Sequence, residues 1–379
     1  MRKFLEWHSK KQKELLCLII FYAIWASAFT TVFFRTQNLT VVDKITFVII
    51  VPLTASLIAI DALIVGIGFT ILSIKAIRQK KIKIEQEKIK MEEIKKYGCP
   101  KLKIEEINNH TYIIKKGTYY CENGIVISEV EHRLEIEAGT TIFFGKTADI
   151  YCNGSLILKG TDEKPIILDA FDKEWKGIYV NHFADIAAYN TIFKNIAISS
   201  QEKRKAPIEI YYSTRGYPRF IAFEKCEFRD NVNLNPDECT AGALYIEGEC
   251  CITIKNCIFT NNKAIGVGAI QIYSQGQYAN INILNCIVSG NISQRTTAGI
   301  LLVGRMIDIC NTKIIANFTE KNYHKTGIGL HAYASDEIHA ENNIIENNTS
   351  MDEGKQIKVH DNFHRGNLRN SLLAKLKQN

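Results

Sequence analysis

From residue 186 onward the chain repeats itself with a period near thirty residues, and no helical period intervenes. The recurring block reads AAYNTIFKN, AFEKCEFRDN, TIKNCIFTNN, NILNCIVSGN, DICNTKIIAN and HAENNIIENN. Aligned on the residue after the first Asn or Lys, it falls at Thr191, Cys226, Cys257, Cys286, Thr312 and Asn343, with gaps of 35, 31, 29, 26 and 31. A fixed period of this length is the mark of a solenoid, in which each unit contacts only its neighbours. Between these blocks lie GIYVN, PIEIY, GALYIE, GAIQIY, GILLV and GLHAY. Their apolar residues alternate with period two, as strands require. Short strands at a coil-length repeat predict a parallel β-helix whose coils stack about 4.8 Å apart.

Two asparagine columns fix the register. Asn190, Asn256, Asn285, Asn311 and Asn342 align, with Lys225 as the exception, and Asn231, Asn262, Asn291, Asn317 and Asn348 form the second column. Asparagine tolerates left-handed backbone, and its amide can bond its counterpart one coil away. Stacked turn asparagines are therefore the expected bending device. Cys226, Cys257 and Cys286 should form an inward stack of free thiols, because side chains one strand spacing apart are too distant for a disulfide. Eleven cysteines, an odd number without metal-type spacing, suit mostly buried thiols and a reducing compartment. Cys250 and Cys251 should face opposite sides of a strand.

The stretches RLEIEAGTTIFF, DIYCNGSLILKGTDEKPIILDA and EWKGIYV resemble the opening coils of the pectate-lyase-like superfamily, and the CxFxxN and GAI blocks resemble the repeats of polymorphic outer-membrane β-helix proteins. The resemblance covers roughly residues 100–360 and implies a right-handed parallel β-helix. It leaves activity open. Polygalacturonase-type members carry NTDG, GDD, GHG and RIK motifs, and this chain has none of them. Relatives of this kind are often extracellular.

The N-terminal part reads differently. Leu15–Phe34 carries no charge, and Ile45–Ile74 carries only Asp61. Both are long enough for membrane spans. Lys and Arg before the first span and after the second outnumber those in the connecting loop, so the positive-inside rule predicts a two-span integral membrane protein with both termini cytoplasmic. Asp61 has two readings: an intramembrane polar contact between helices or lining a pore, or a protonated or snorkelling acid. The expected domains are a membrane hairpin at 1–77, a charged helical stalk at 78–98, the β-helix at 99–365 and a capping helix at 366–379. In that helix Leu368, Leu372, Leu373 and Leu376 line one face.

Projecting the alternating strands gives two outward columns. One is Tyr179, Glu209, Tyr245, Gln271, Leu301, His331 and Lys358, and the other is Asn181, Tyr211, Glu247, Tyr273, Val303, Tyr333 and His360. No acidic cluster of the calcium-binding kind appears among them. The candidate binding face is Tyr179, Tyr211, Tyr245, Tyr273, His331 and Tyr333. It suits a glycan by ring stacking, or a protein, and tyrosine is also ordinary strand decoration. Glu209 and Glu247 lie diagonally on adjacent coils, and their separation could approach the roughly 6.5–9.5 Å used by inverting glycosidases.

The leading expectation is a membrane-tethered, non-enzymatic β-helix that presents a recognition face for glycan or protein. The alternatives are a polysaccharide lyase or glycoside hydrolase, and a cytoplasmic sensor coupled to a membrane-perturbing hairpin. The expected partners are the lipid bilayer, that glycan or protein, and a second copy through the transmembrane helices. No cofactor, metal or nucleic acid is expected. The net charge of +7 comes largely from the membrane-flanking segment, and no arginine cluster with interleaved aromatics marks a nucleic-acid face.

Overall fold

The computed structural model describes residues 70–361 except 87, 90, 93, 182–184, 213–218, 324–325 and 353–354. The chain divides into two compact units, Met1–Glu87 and Lys88–Asn379. In the first, residues 70–86 are helical and largely exposed. The second begins with helical residues up to 97. Ile77, Ile84 and Met91, spaced by seven in the sequence, are all exposed.

Among the described residues no helix is long and apolar enough to cross a membrane. This corrects the two-span integral membrane localisation. The described helix carries Lys75, Arg78, Lys80, Lys81 and Lys83 in close succession, and each charge is expensive in hydrocarbon. Only residues 70–74 of the second expected span fall within it. The first expected span, Asp61 and the expected capping helix at 366–379 lie outside the described residues.

The second unit is the solenoid. Its first turn opens with an antiparallel hairpin, Glu105–Asn108 against Thr111–Ile114. Every later ladder among the described residues is parallel. One representative coil runs Leu244–Glu247, Cys250–Lys255, Ile258–Thr260, Lys263–Ala264 and then Ile270–Ser274, which pairs in register with Leu244–Glu247. The strands of such a coil contribute to four ladders, called here first to fourth in that order, and the fourth ladder begins only at Ala197–Ile198. In the later coils the first and second strands fuse, as in Ile300–Cys310 and Leu330–Glu341. The variable coil length is absorbed by loops before the first strand, such as 199–207 and 234–243, and between the first and second, such as 275–279.

Alternation places one side of each strand in the core. Leu244, Ile246, Ile270 and Ile272 are fully buried, as the strand period requires. β-branched side chains suit this stack because their restricted χ1 packs against the identical residue one coil away. Phenylalanines stack in the same way: Phe193 on Phe228 at 5.0 Å, and Phe228 on Phe259 at 4.3 Å and 4°. Cys226, Cys257 and Cys286 are buried, free and inward, and the amide of Cys226 donates to Cys257 Sγ at 3.4 Å. Cys250 is buried while its neighbour Cys251 is half-exposed.

The two asparagine columns do different work. The first sits at left-handed backbone: Asn190, Lys225, Asn256, Asn285, Asn311 and Asn342 have φ of 44, 55, 56, 55, 53 and 54°. Lys225 keeps the conformation without the preferred side chain. In the second bend the left-handed residues come one position earlier, at Asn195, Asp230, Asn261, Gly290, Ala316 and Asn347. The asparagines that follow turn inward and form a buried amide ladder. Asn231 Nδ2 donates to Asn262 Oδ1, Asn262 to Asn291, Asn291 to Asn317, and Asn317 to Asn348, at 2.9, 2.9, 2.9 and 2.8 Å. Each Oδ1 also accepts the backbone N–H of the preceding rung, as Asn291 Oδ1 does from Asn262 at 3.0 Å.

The glycine that opens the GA and GI blocks has a steric cause. A Cβ at Gly242, Gly268 or Gly299 would collide with the carbonyl oxygen of Gly268, Ala298 or Gly329 on the next coil. Adjacent coils approach closely there, immediately before the first ladder, and only a residue without Cβ fits.

Candidate functional site

The outward columns pair as the alternation predicts. Tyr179 faces Glu209, Glu209 faces Tyr245, Tyr245 faces Gln271, Gln271 faces Leu301, and Leu301 faces His331. In the second column Tyr211 faces Glu247, Glu247 faces Tyr273, Tyr273 faces Val303, and Val303 faces Tyr333. Outward direction does not mean exposure, however. Tyr245 and Gln271 are each 1% exposed and Glu209 7%, and a loop before the first strand bonds to Glu209 and Tyr245.

The loop 199–207 makes the cover, and Lys205 is its anchor. The Lys205 backbone N–H donates to Glu209 Oε2 at 2.8 Å. Lys205 Nζ donates to Glu247 Oε2 at 2.8 Å and to the Tyr245 hydroxyl at 2.9 Å. The Tyr245 hydroxyl in turn donates to Glu247 Oε2 at 2.6 Å. From below, Asn233 Nδ2 donates to the Lys205 carbonyl at 2.8 Å and Asn235 Nδ2 to the Arg204 carbonyl at 2.9 Å. Ala206, Ala241 and Tyr245 form a small apolar cluster of their own, with Tyr273 packed against it.

This clamp sets the charges. Burial pushes the Glu209 carboxyl above the usual carboxylate range, opposed by the Lys205 N–H and by Arg204 and Lys205, and reinforced by Glu247. Burial also works to raise Glu247, but its bonds from Lys205 and Tyr245 prevail and hold it below that range. Burial and the Glu247 carboxylate together drive the Tyr245 phenol far above its ordinary value.

Upstream of the clamp the face is half-buried rather than sealed. Tyr151 pairs with Tyr179, and their rings stack at 5.5 Å and 20°. The Arg204 guanidinium lies over the Tyr179 ring at 5.6 Å and 3.6 Å from Asp149 Oδ2. Beside them Asn181 Nδ2 donates to Asn153 Oδ1 at 3.1 Å. The rings stack on each other and Arg204 lies over Tyr179, so ring faces are covered rather than laid out as one flat platform.

The expected tyrosine face therefore separates into parts. Tyr179 and Tyr211 belong to or border the half-buried patch. Tyr245 is sealed in the clamp, and Tyr273 accepts a bond from Gln271 Nε2 at 2.9 Å. His331 and Tyr333 lie beyond the half-buried aliphatics Leu301 and Val303. Glu209 and Glu247 do share one network, joined by Lys205. Projection of the strands alone passes over Tyr151, Arg204 and Lys205. Tyr151 has a signal in the sequence, since IYC and IYV occupy the same repeat position. The two cations have none, because they sit in a loop with no period.

A family model described as "Right handed beta helix region" matches residues 176–372, just over half of the 379-residue chain. No curated protein matches the chain, and no solved structure does.

Proposed function

The chain belongs to the right-handed β-helix family, and from that premise we propose that it is a recognition scaffold that binds a protein partner through the patch of Tyr151, Tyr179 and Arg204. The observation that carries this reading is the ring-on-ring, guanidinium-on-ring stack. Tyrosine and arginine are, with tryptophan, the residues enriched in binding hot spots. Stacking immobilises them before binding, so little side-chain entropy is left to lose. Ring faces already covered by one another and by Arg204 leave a sugar no broad face to lie on, whereas the neighbouring amides suit a polar protein surface.

The test compares wild type with Tyr151→Ala/Tyr179→Ala by quantitative cross-linking in cells, alongside a glycan array. Binding should weaken by roughly 1–2 kcal/mol per true hot spot, so a defined set of cross-linked proteins should be lost in the variant. Identical sets for both forms reject the patch. Array signals lost in the variant would replace the protein partner with a glycan.

A second reading rests on Glu209 and Glu247, whose carboxyls are shifted in opposite directions on adjacent coils. Such a split is the arrangement of an acid and a base acting on one substrate. The clamp argues against it, since both carboxylates already hold Lys205. Product release from a polysaccharide panel, abolished in Glu209→Gln, would favour catalysis.

A further inference from the structure

On the outward side of the second ladder two i, i+2 pairs meet. Asp308 and Cys310 lie on Ile300–Cys310, and His339 and Glu341 lie on Leu330–Glu341, with Asp308 opposite His339 and Cys310 opposite Glu341. We propose that Asp308, Cys310 and His339 bind a divalent transition ion of the zinc type, with Glu341 orienting the histidine.

The donor atoms already converge. Cys310 Sγ lies 3.0 Å from Asp308 Oδ1, His339 Nδ1 lies 3.0 Å from the same oxygen, and Cys310 Sγ lies 3.7 Å from His339 Nδ1. Zinc bonds of about 2.0–2.3 Å at tetrahedral angles place donors roughly 3.3–3.6 Å apart, so small rotations of three side chains suffice. His339 Nε2 lies 3.8 Å from Glu341 Oε2. Without metal the nearer acceptor is Asp308 at Nδ1; an ion bound at Nδ1 takes the place of that proton, and Glu341 is the acceptor for the Nε2–H that remains, the role outer carboxylates play for metal-binding histidines. Thiolate and imidazole select a borderline-soft ion over calcium or magnesium. On binding, the Cys310 thiol loses its proton to solvent, and the fourth position stays open to water.

The scaffold is rigid at this point. Ile307, Ile309 and Ala340 are buried between and beside these residues, so the backbone bearing the donors is locked by the core. One coil earlier the same positions hold Asn282 and Leu284, which confines the donor set to one pair of rungs.

The experiment titrates the full-length, chelator-treated, reduced protein with cobalt(II) as a spectroscopic stand-in, then displaces it with zinc in a calorimeter. The expected result is one equivalent per chain with a sulfur-to-cobalt charge-transfer band. The band should vanish in Cys310→Ser and binding should be lost in His339→Ala. Cys239→Ser and Cys251→Ser, which remove the other accessible thiols among the described residues, should leave both unchanged. Glu341→Gln should keep the band but bind about 10–100-fold more weakly. Unfolding midpoints without metal should match wild type in every variant, since these side chains face outward. The proposal is overturned if wild type takes up no ion, or if Cys310→Ser and His339→Ala both bind as wild type does.

Discussion

Asn291 Nδ2 donates to Asn317 Oδ1 across 2.9 Å, from one coil to the next, while Asn291 Oδ1 accepts from both the backbone N–H and the amide of Asn262. A single side chain thus satisfies buried groups on both neighbouring coils, in a place water does not reach.

Asn291→Ala should be costly for that reason. It leaves Asn262 N–H, Asn262 Nδ2 and Asn317 Oδ1 buried without these partners, and unmet buried groups cost about 1–3 kcal/mol each, not additively. A loss of about 2–4 kcal/mol is expected on that basis. Asn285→Ala, in the exposed left-handed column, should cost only about 1 kcal/mol, the difference between asparagine and alanine at positive φ. Ala316→Gly, at φ 54°, should stabilise by about 1 kcal/mol for the same reason. Denaturant midpoints of the three variants decide it, and equal costs for Asn291 and Asn285 would refute the division of labour between the columns.

Tyr245 should behave as core although it points away from the core. Strand alternation alone would class it as a surface residue costing under about 1 kcal/mol on truncation. Its burial and its bonds to Lys205 and Glu247 place Tyr245→Ala instead near about 3–5 kcal/mol, comparable with the inward control Ile272→Ala at about 2–5 kcal/mol. Tyr179→Ala should cost far less. A small effect at Tyr245 would mean that the 199–207 loop does not hold the face shut in solution.

Glu209 and Glu247 should tilt the pH dependence of stability in opposite directions. The folded pKa of Glu209 is raised by burial. Its contribution is therefore fullest below the unfolded value of about 4.3 and is lost as pH rises through the folded value. Glu209→Gln keeps an acceptor for the Lys205 N–H and removes that loss, so its stability relative to wild type should rise as pH increases from acid to neutral. Glu247 is depressed by Lys205 and Tyr245 despite its burial. Its contribution is present above about 4.3 and is lost as pH falls through its folded value, so Glu247→Gln should be the weaker protein at neutral pH and converge on wild type in acid. Unfolding midpoints from acid to neutral pH measure both slopes, and parallel curves for Glu209→Gln and wild type would refute the burial argument.

The parts of the molecule legible in its sequence are those that obey a period. Alternation gives the faces of Ile270, Gln271, Ile272 and Tyr273 correctly, and the thirty-residue repeat gives the rungs, because every coil solves the same packing problem. Exposure is not legible, since Tyr245 is covered by Lys205, forty residues away in a loop that belongs to one coil only. The Asp308, Cys310, His339 and Glu341 set escapes for a related reason. Its two pairs are 29 to 33 positions apart across the coil boundary, so only the register of adjacent rungs brings them together. The hydrophobic N-terminal runs illustrate the converse, because length and apolarity in sequence point to spans that no described helix provides.

At the far end of the asparagine ladder the next donor-acceptor pair is not another asparagine. Gln356 Oε1 accepts the Asn348 N–H and the Asn348 amide at 3.1 and 3.0 Å, and Gln356 Nε2 returns a bond to the Asn348 carbonyl. Its one extra methylene lets a side chain from the same coil fill the position that a neighbouring coil fills elsewhere. In the language of polymer growth, the asparagines are propagating units and Gln356 is a chain terminator. In strand register Gln356 stands where the preceding coils have Gly329, Gly299 and Ala269, so the last described asparagine rung is closed where a small residue of that neighbouring column is replaced by glutamine, and moving that replacement by a coil would move the closure with it.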